Sequence, residues 1–373
     1  MESLALIGAP SAAFWRGKRV LLTGHSGFKG SWLTIWLHRL GAKVTGVSLQ
    51  PVTTPNLYTE AKIEKICRRH FCDIRNFSAV AELVQETRPD VVLHLAAQPL
   101  VHTSYREPLL TFETNTLGAV HLLEAVRGCD SIRVVVMVTT DKVYRETDNN
   151  RPYRETDTLG GHDPYSASKA AAEIIIASYR DAYLAAKGLA VASARAGNVI
   201  GGGDWSQDRL IPDAVRAWQS GRALEIRQPG AVRPWQHVLE PLRGYLMLAQ
   251  QLWNDPALAG AYNFGPDING AAAVRDVIEL ARASYGEGEV NYVEATKGMH
   301  ESAWLALDVA KAKRKLGVSN RFTLVQTVQQ TMAWYRAHRH GAAAQELCEA
   351  DIAEFEARLL AASKPAIAVK QAG

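Results

Sequence analysis

The stretch Arg19–Gly30 reads RVLLTGHSGFKG and decides the fold. An apolar strand comes first, Gly24, Gly27 and Gly30 follow at intervals of three, and a helical stretch begins there. Such a turn needs glycine for its tight backbone, for close approach of a pyrophosphate, and for close packing of the helix on the strand. The N-terminus of the helix then offers amide donors to the anion. The sequence therefore predicts a dinucleotide-binding turn.

Beyond this turn, apolar runs alternate with amphipathic stretches. The apolar runs are Arg19–Leu22, Val44–Leu49, Asp90–Ala97, Arg133–Thr139 and Val191–Val199. The helical stretches between them are Gly30–Leu40, Phe77–Thr87, Thr111–Arg127 and Tyr165–Lys187. Strands that are apolar throughout, each followed by a helix, indicate a parallel sheet covered on both faces. We therefore expect an α/β fold with a Rossmann-type doubly wound parallel sheet.

The regular alternation of strands and helices ends at about Gly201. Longer helices, short strands and most of the tryptophans follow. This favours a smaller, mixed C-terminal lobe that binds the substrate. We expect four parts: a flexible leader (1–13), the Rossmann-type domain (14–200), a substrate lobe with some segments returning to the first domain (201–340), and a helical extension with a frayed tail (341–373). Two late helical stretches, Phe322–Ala337 and Ala344–Leu360, flank a break at His338–Gly341.

Composition excludes several classes of protein. The net charge is +4 and the isoelectric point about 8.8, a surplus too small and dispersed to indicate nucleic acid but suited to an anionic small ligand. No apolar run approaches the roughly 18 residues of a membrane helix, and the first dozen residues lack the pattern of a signal peptide. The four cysteines, Cys67, Cys72, Cys129 and Cys348, lack the spacing of a metal site. We therefore expect reduced thiols, no bound metal and a cytoplasmic protein.

One expected part of the dinucleotide site is missing. The second strand ends near Val47–Leu49 without an acidic residue for a ribose 2′-hydroxyl and without an adjacent arginine for a 2′-phosphate. Ser48 offers a single hydrogen bond there. NAD is therefore expected over NADP from the fold and not from this strand. Asp73, after the third strand, either contacts the adenine amino group or serves as a helix N-cap.

A second motif, YSASK, opens a helix and places Tyr165 and Lys169 one turn apart on one face. An ammonium near a phenol lowers the pKa of the phenol, so that a tyrosinate can take a proton from a hydroxyl as hydride leaves. The alternative is an ordinary exposed pair. The position after a Rossmann-like half, and the strand ending in Thr139-Thr140-Asp141-Lys142, favour hydride transfer.

These motifs, with HLAAQP (His94–Pro99) and RAGN (Arg195–Asn198), resemble the extended short-chain dehydrogenase/reductase family. Longer stretches are similar to the branch of that family comprising 4,6-dehydratases of CDP-linked glucose. The resemblance extends from about Phe14 to about Tyr335. The stretches are Phe14–Leu33, Ala96–Val101, Gly160–Glu173, Arg195–Trp205 and Arg233–Leu242.

The resemblance implies a reaction on a nucleotide-linked hexose, with NAD oxidised at the beginning and at the end. Tyr165 would take the proton of the 4-hydroxyl, held by Thr140, while the C-4 hydride leaves. Water would then be eliminated across C-5 and C-6, and the hydride would return to C-6. Asp141 would act as the acid for the 6-hydroxyl, and Lys142 as the base at C-5 or as an electrostatic stabiliser. Alternatively, Lys142 merely pairs with Asp141.

The resemblance also implies the residues that bind the ligands. Those expected at NAD are Gly24, Ser26, Gly27, Phe28, Lys29, Gly30, Asp73, Ile74, Leu95, Ala96, Ala97, Thr139, Tyr165 and Lys169. Those expected at the nucleotide sugar are Gln98, Asn198, Arg209, Arg233 and His237. Arg195 is expected to be a buried, paired arginine, and Asn115 to tie the active-site backbone together. His300, Glu301 and Trp304 also fit the family pattern.

Several alternatives stay open from the sequence. A 4-epimerase needs the same Tyr165 and Lys169 but no elimination groups; a dehydratase of dTDP-, UDP- or GDP-hexoses and a non-catalytic dinucleotide sensor are others. The segment Tyr144–Tyr153 lacks the tryptophan-bearing loop usual in the family, which puts the hexose in question. The resemblance implies deoxysugar synthesis for cell-surface polymers such as O-antigens. It also implies a homodimer, or a tetramer, paired through Thr111–Arg127 and Tyr165–Lys187.

Overall fold

A computed structural model describes residues 8–147, 151–267, 270–293 and 304–363. Its strands are β1 Arg19–Thr23, β2 Lys43–Ser48, β3 Arg68–Phe71, β4 Val91–His94, β5 Val134–Val138, β6 Ala190–Ala196, β7 Val199–Ile200, β8 Leu224–Ile226, β9 Val232–Pro234, β10 Gln236–His237, β11 Gly260–Phe264, β12 Ala271–Ala273 and β13 Val290–Tyr292. Its α-helices are α1 Ala12–Trp15, α2 Phe28–Arg39, α3 Leu57–Glu60, α4 Phe77–Thr87, α5 Val101–Arg106, α6 Pro108–Phe112, α7 Gly118–Arg127, α8 Pro164–Tyr179, α9 Leu210–Gln219, α10 Leu239–Asn254, α11 Val274–Tyr285, α12 Ala310–Leu316, α13 Leu324–Arg339 and α14 Ala344–Ser363.

Seven strands form the central sheet in the order β11-β6-β5-β4-β1-β2-β3, and every neighbouring pair is parallel. Val20 and Leu22 of β1 pack into one hydrophobic core, and Leu21 packs into another on the opposite face. Strands buried on both faces need apolar residues throughout, which is why the apolar runs predicted them. The Rossmann-type doubly wound sheet is confirmed, and the crossover between β1 and β4 creates a crevice at the carboxyl ends of the strands.

Two expected helices are less regular than the sequence predicts. The stretch Thr111–Arg127 comprises the end of α6, a π-helical turn at Glu113–Leu117, and α7. The stretch Tyr165–Lys187 is α8 followed by a second π-helical turn at Arg180–Leu184 and a 3₁₀ turn. Apolar periodicity predicts a helical face but does not distinguish these local changes of winding.

The second half of the chain builds small two-stranded sheets, in which β8 pairs with β13, β9 with β12 and β7 with β10. It also returns to the first half, because β11 forms the edge of the central sheet beside β6. The division near residue 200 therefore marks a change in local architecture, while the central sheet is built from both sides of it.

The N-terminal segment corrects one expectation. Residues 8–13, expected as part of a flexible leader, are held against α10: the Arg243 guanidinium donates to the Gly8 carbonyl (2.5 Å), and Ser11 N–H donates to Gln250 (3.0 Å). Ser11 also caps α1, whose Trp15 is fully buried. A stretch of six small residues, GAPSAA, is too short to show a hydrophobic periodicity, so the sequence does not reveal these contacts. Residues 1–7 and 364–373 lie outside the described residues.

Within the described ranges, no helix has both the length and the apolar character needed to cross a membrane. The same residues contain no group of three or more His, Cys, Asp or Glu side chains that could hold a metal ion.

Candidate active site

The glycine turn after β1 has the geometry of a pyrophosphate cradle. Gly24 has a φ of +79°, and a Cβ there would lie 2.7 Å from the backbone nitrogen of Ala96. A Cβ on Gly30 would lie 2.0 Å from the Gly24 carbonyl oxygen, so both positions require glycine. Gly27 is the N-cap of α2 and supplies no side-chain acceptor to its first amides. Those amides are available to an anion, and the residues fit a dinucleotide.

Beside the cradle, Ser48 at the end of β2 is buried instead of facing a ribose. Its hydroxyl donates to Ser26 (2.9 Å) and lies 3.0 Å from Nδ1 of His25. The His25 ring fills the space over Gly46, where a Cβ would lie 2.3 Å from it. Burial lowers the pKa of His25 to about 4, so the ring is neutral at physiological pH. His25 was not expected at this site, although its place between Gly24 and Gly27 of the motif could have identified it.

Asp73 follows β3, and its carboxylate is engaged by its neighbour Arg75, whose Nη2 lies 2.6 Å from it. The guanidinium of Arg75 also reaches Glu113 at 3.2 Å. The N-cap of α4 is Asn76, whose side chain accepts from Ala79 N–H, so the N-cap alternative for Asp73 is wrong. A cavity of about 340 Å³ lies beside this group and is lined by Asp73, Arg75, Asn76, Glu113, Leu117 and His121.

The remaining residues expected at the cofactor lie along the same edge of the sheet. Leu95 and Ala96 follow β4, and their backbone N–H groups donate to the Thr23 hydroxyl, each at 3.2 Å. Ala97 follows them in sequence. Ile74 is buried against Gly118, where a Cβ would lie 2.6 Å from the Ile74 side chain.

Phe28 and Lys29 form the first turn of α2. Burial and the nearby charge of Arg209 lower the pKa of Lys29 to about 8. Asp141 and Asp204 act in the opposite direction but more weakly. Lys29 therefore lies in a positively charged part of the site.

Tyr165 and Lys169 occupy the first two turns of α8, which Asp163 caps by accepting from Ser166 N–H at 2.9 Å. Both side chains are buried. Burial raises the pKa of Tyr165 to about 12, and a hydrogen bond with Thr140 opposes this rise. Burial lowers the pKa of Lys169 to about 8, and its ammonium donates to the Val138 carbonyl at 3.4 Å. The pKa of the phenol is therefore raised and not lowered as expected, because burial outweighs the opposing effects of Thr140 and Arg209.

Thr140, Asp141 and Lys142 form a short turn directly after β5. The Asp141 carboxyl is 3% exposed; Oδ1 accepts from the Thr140 hydroxyl at 3.0 Å, and Oδ2 has no partner among the described residues. Burial raises the pKa of Asp141, as an acid catalyst requires. The charge of Lys142 opposes this rise in the pKa of Asp141, although no ion pair within 4.0 Å joins the two side chains among the described residues. Both roles of Lys142 therefore stay open.

Two polar residues hold this site together as expected. Asn115 accepts from the Gln98 backbone (2.8 Å) and donates to its carbonyl (3.0 Å), and it also donates to Ser168 of α8 (3.0 Å). It thereby ties the segment after β4 to the helix of Tyr165. Arg195 is the buried, paired arginine that the sequence predicts, with Nη2 2.7 Å from the carboxylate of Glu173.

The residues expected at the substrate differ in exposure. Arg209 is one-third exposed and pairs with Asp204 at 2.8 Å. Arg233 is buried and donates to its neighbour's carbonyl, and electrostatically it lowers the pKa of Asp141. Asn198 is half-buried between β6 and β7, and its carbonyl accepts from Gln236. The Gln98 side chain bonds to Leu100 and Thr111.

His237 corrects the sequence expectation. Its side chain is fully buried between Trp32 and Phe322, with ring centroids 6.2 and 5.3 Å away. Burial lowers its pKa to about 3, so the ring carries no charge for a phosphate. No face of His237 is open to a nucleotide. Trp304 pairs through its backbone with Val232, whereas His300 and Glu301 lie outside the described residues.

Comparison with known proteins places this geometry in a family. The family model described as GDP-mannose 4,6 dehydratase matches residues 21–331. A CDP-glucose 4,6-dehydratase of Salmonella typhimurium is 41% identical over 88% of this chain and 93% of its own length. A dTDP-glucose 4,6-dehydratase of Xanthomonas campestris is 29% identical over 84% of this chain and 92% of its own length.

Solved structures show the same fold. A UDP-glucose-4-epimerase from Stenotrophomonas maltophila, with bound NAD and formylated UDP-arabinopyranose, has a TM-score of 0.75 at 25% identity, covering 87% of this chain and 100% of its own. A dTDP-glucose 4,6-dehydratase from Streptomyces venezuelae, with NAD and TYD bound, has a TM-score of 0.74 at 25% identity. It covers 86% of this chain and 98% of its own. The chain thus belongs to the GDP-mannose 4,6-dehydratase family, within the extended short-chain dehydrogenases/reductases.

Proposed function

We propose that this protein is an NAD-dependent hydro-lyase that converts CDP-D-glucose to CDP-4-keto-6-deoxy-D-glucose and water. The observation that carries the proposal is the buried Asp141 carboxyl, which has a raised pKa and one unpartnered oxygen and lies next to the Tyr165–Lys169 pair. A hydride-transfer site needs no such acid, whereas elimination of a hydroxyl group does. The 41% identity to a CDP-glucose 4,6-dehydratase supports this substrate.

The cradle of Gly24, Gly27 and Gly30 would hold the pyrophosphate of NAD, and Asp73 with Ile74 would meet its adenine. NAD supplies, when bound, the acceptance of a hydride from C-4 and its return to C-6. The protein's contribution is to position the sugar, to move protons and to exclude water. The relatives solved with NAD support this choice of cofactor over NADP.

Tyr165 acts on the 4-hydroxyl. Because its phenol shares a hydrogen bond with Thr140, a sugar hydroxyl bound between the two groups is held for proton transfer. The Lys169 ammonium stabilises the resulting phenolate. Its pKa of about 8 makes it positively charged at neutral pH and close to titration.

Elimination uses the turn after β5. Once C-4 is a ketone, the C-5 proton is acidic, and Lys142 takes it or stabilises the enolate that results. The bond between C-6 and its oxygen breaks, Asp141 delivers a proton to the departing oxygen, and water leaves as the C-5 to C-6 double bond forms. Burial raises the pKa of Asp141, which favours the protonated form that this task needs.

Positive charge favours the nucleoside diphosphate. Arg209 presents a guanidinium at the edge of the site, and Arg233 and Lys29 add charge within it. A guanidinium matches paired phosphate oxygens in a bidentate manner. Asn198 and Gln98 are the proposed polar contacts beside them.

Exposed apolar side chains on α6, on the π-helical turn before α7 and on α8 support a homodimer built through this region. Leu109 is 71% exposed and Ile174 60% exposed, and Leu117 is also exposed on the π-helical turn. Apolar groups on adjacent helices stabilise a dimer when a second copy covers them.

The four cysteines are free thiols, which supports a reducing, cytoplasmic location. We place the product in deoxysugar synthesis for lipopolysaccharide.

The discriminating experiment offers the purified protein CDP-, dTDP-, UDP- and GDP-linked glucose with NAD, together with GDP-mannose. We expect CDP-glucose alone to be converted rapidly, with loss of one water by mass spectrometry and a 4-keto sugar by NMR. An isomerised hexose of unchanged mass would establish a 4-epimerase instead, the activity named for the Stenotrophomonas structure. Turnover of another nucleotide sugar would reject the CDP assignment.

A further inference from the structure

Two residues bracket the turn that carries the proposed elimination groups. Thr139 immediately precedes Thr140-Asp141-Lys142. After these three residues come Val143 and then Tyr144. Both side chains are buried and both point to one ion pair. Thr139 donates to Oε1 of Glu173 at 2.5 Å, and Tyr144 accepts from Nη1 of Arg195 at 2.8 Å.

The ion pair is fixed on two rigid elements. Glu173 lies one helical turn beyond Lys169 on α8, and Arg195 is the last residue but one of β6. Both are at most 4% exposed, and Nη2 of Arg195 lies 2.7 Å from Oε2 of Glu173. Ser193 donates to the same carboxylate oxygen at 2.7 Å. An ion pair with so many hydrogen bonds in a dry environment allows one geometry and little drift.

The far end of the turn is held equally well. The Tyr144 hydroxyl donates to Asn263 of β11 at 2.6 Å, and its ring stacks on Tyr153 at 4.9 Å with planes 5° apart. Asn263 in turn donates to the Tyr153 carbonyl at 2.9 Å. Both rings belong to a small hydrophobic core that also includes Val143 and Ala170, the neighbours in sequence of Lys142 and Lys169.

We propose that Glu173, Arg195 and Tyr144 are positioning residues, a clamp that fixes the turn of Asp141 and Lys142 relative to α8 and is needed for elimination more than for oxidation. The proposal rests on the dehydratase function proposed above. Oxidation depends mainly on Tyr165 and Lys169, whose spacing is fixed by α8, and uses only Thr140 from the turn. Elimination depends on a turn of three residues, whose orientation is determined by the contacts at its two ends.

The test separates the two steps with substrate deuterated at C-4 or at C-5. Tyr144→Phe removes the hydroxyl and keeps the ring. Turnover should fall roughly ten- to hundredfold, as for a displaced catalytic group. The isotope effect at C-5 should rise and the effect at C-4 should fall, because elimination becomes limiting. Reduced cofactor should accumulate during turnover, which a general loss of folded protein would not produce.

Tyr153→Phe is the matched control, because it removes a hydroxyl from the same ring stack without touching Arg195. It should retain the turnover and isotope effects of the wild type. Thr139→Val tests the opposite end of the clamp and should shift the isotope effects in the same direction. It also keeps the proposal testable if Tyr144→Phe folds poorly, which melting temperature and NAD binding will show.

Three results would overturn the proposal. The first is a Tyr144→Phe enzyme with the same rate and isotope effects as Tyr153→Phe. The second is equal slowing of both steps in Tyr144→Phe and Thr139→Val, which indicates a purely structural role. The third is a wild-type protein that releases no dehydrated product, which removes the proposed function and this inference together; the first two leave the function intact.

Discussion

Helix α8 and the turn after β5 both contribute to the site, but they are held in different ways. Tyr165 and Lys169 lie on a helix of 16 residues with a capped N-terminus, packed against other helices. Asp141 and Lys142 lie on a 3₁₀ turn of three residues, fixed by side chains from β6 and α8. The hydride-transfer pair is therefore spaced by the regular geometry of a helix, to which contacts from Asn115 and Val138 are added. The elimination pair depends on tertiary contacts made by Thr139 and Tyr144 at the two ends of its turn.

The largest expected effect is on the helix side. Tyr165→Phe removes the group that moves the proton of the 4-hydroxyl, and turnover should fall by about 10⁴-fold. Oxidation begins the reaction, so C-5 proton exchange with solvent should stop as well. NAD binding measured by calorimetry should stay close to that of the wild type. Persistent C-5 exchange in this variant would contradict the assigned order of steps.

Asp141→Asn should impair elimination, which depends on the turn after β5, and leave oxidation intact. An amide cannot deliver a proton to the departing oxygen, so the rate of formation of the dehydrated product should fall by about 10²- to 10³-fold. Oxidation at C-4 should continue, and the 4-keto hexose should accumulate with reduced cofactor, measured by rapid quench and absorbance. Asp157→Asn, which loses a carboxylate paired with Arg151 outside the site, is the control. Equal loss of oxidation and elimination in Asp141→Asn would remove the distinction between the two regions.

A smaller effect should appear in the pH profile of oxidation. Burial lowers the pKa of Lys169 to about 8, so its ammonium is present below that pH and lost above it. The rate of C-4 oxidation should therefore decline above pH 8 by about tenfold for each pH unit. Lys169→Arg keeps the charge, so its decline should begin at higher pH even if its maximal rate is lower. Identical alkaline limbs in the two proteins would show that another group titrates.

The smallest effect concerns the helix start. Asp163→Ala removes the N-cap of α8, which should lower the free energy of unfolding by about 1 kcal/mol. Because the rest of α8 still positions Tyr165, turnover should change by less than about threefold. Urea unfolding and steady-state kinetics measure the two quantities. A large loss of turnover would show that α8 depends on single contacts as much as the turn does.

The sequence predicted the parts of the fold that repeat a pattern. Continuous apolar runs identified β1, β2, β4, β5 and β6, because each is buried on both faces. A third strand before Asp73 was expected, but no apolar run marked its bounds, because Arg68–Phe71 of β3 lies at the edge of the sheet with mostly exposed side chains. An edge strand has one neighbour and no need for continuous apolar residues, so its sequence resembles a loop.

The site was predictable where a motif carries the chemistry. The spacing of Tyr165 and Lys169 fixes their common face on a helix, and the glycine spacing fixes the cradle. His237 was assigned to the substrate from the family resemblance of its segment, whereas only the fold shows that two aromatic rings enclose it. The positioning role proposed for Glu173 depends on its contacts with Thr139 and Arg195, which are 34 and 22 residues away in the chain. No local pattern connects them.

The place of β11 at the edge of the central sheet has a consequence for biosynthesis. A ribosome must have released Gly260–Phe264 before β6 acquires its second neighbour, so the first 200 residues emerge with an open sheet edge. Open edges favour pairing with other chains, and sequence-distant pairing is slow. The nascent chain therefore remains exposed to aggregation until two-thirds of it is made, and completion of the sheet should depend on chaperones and on the rate of translation.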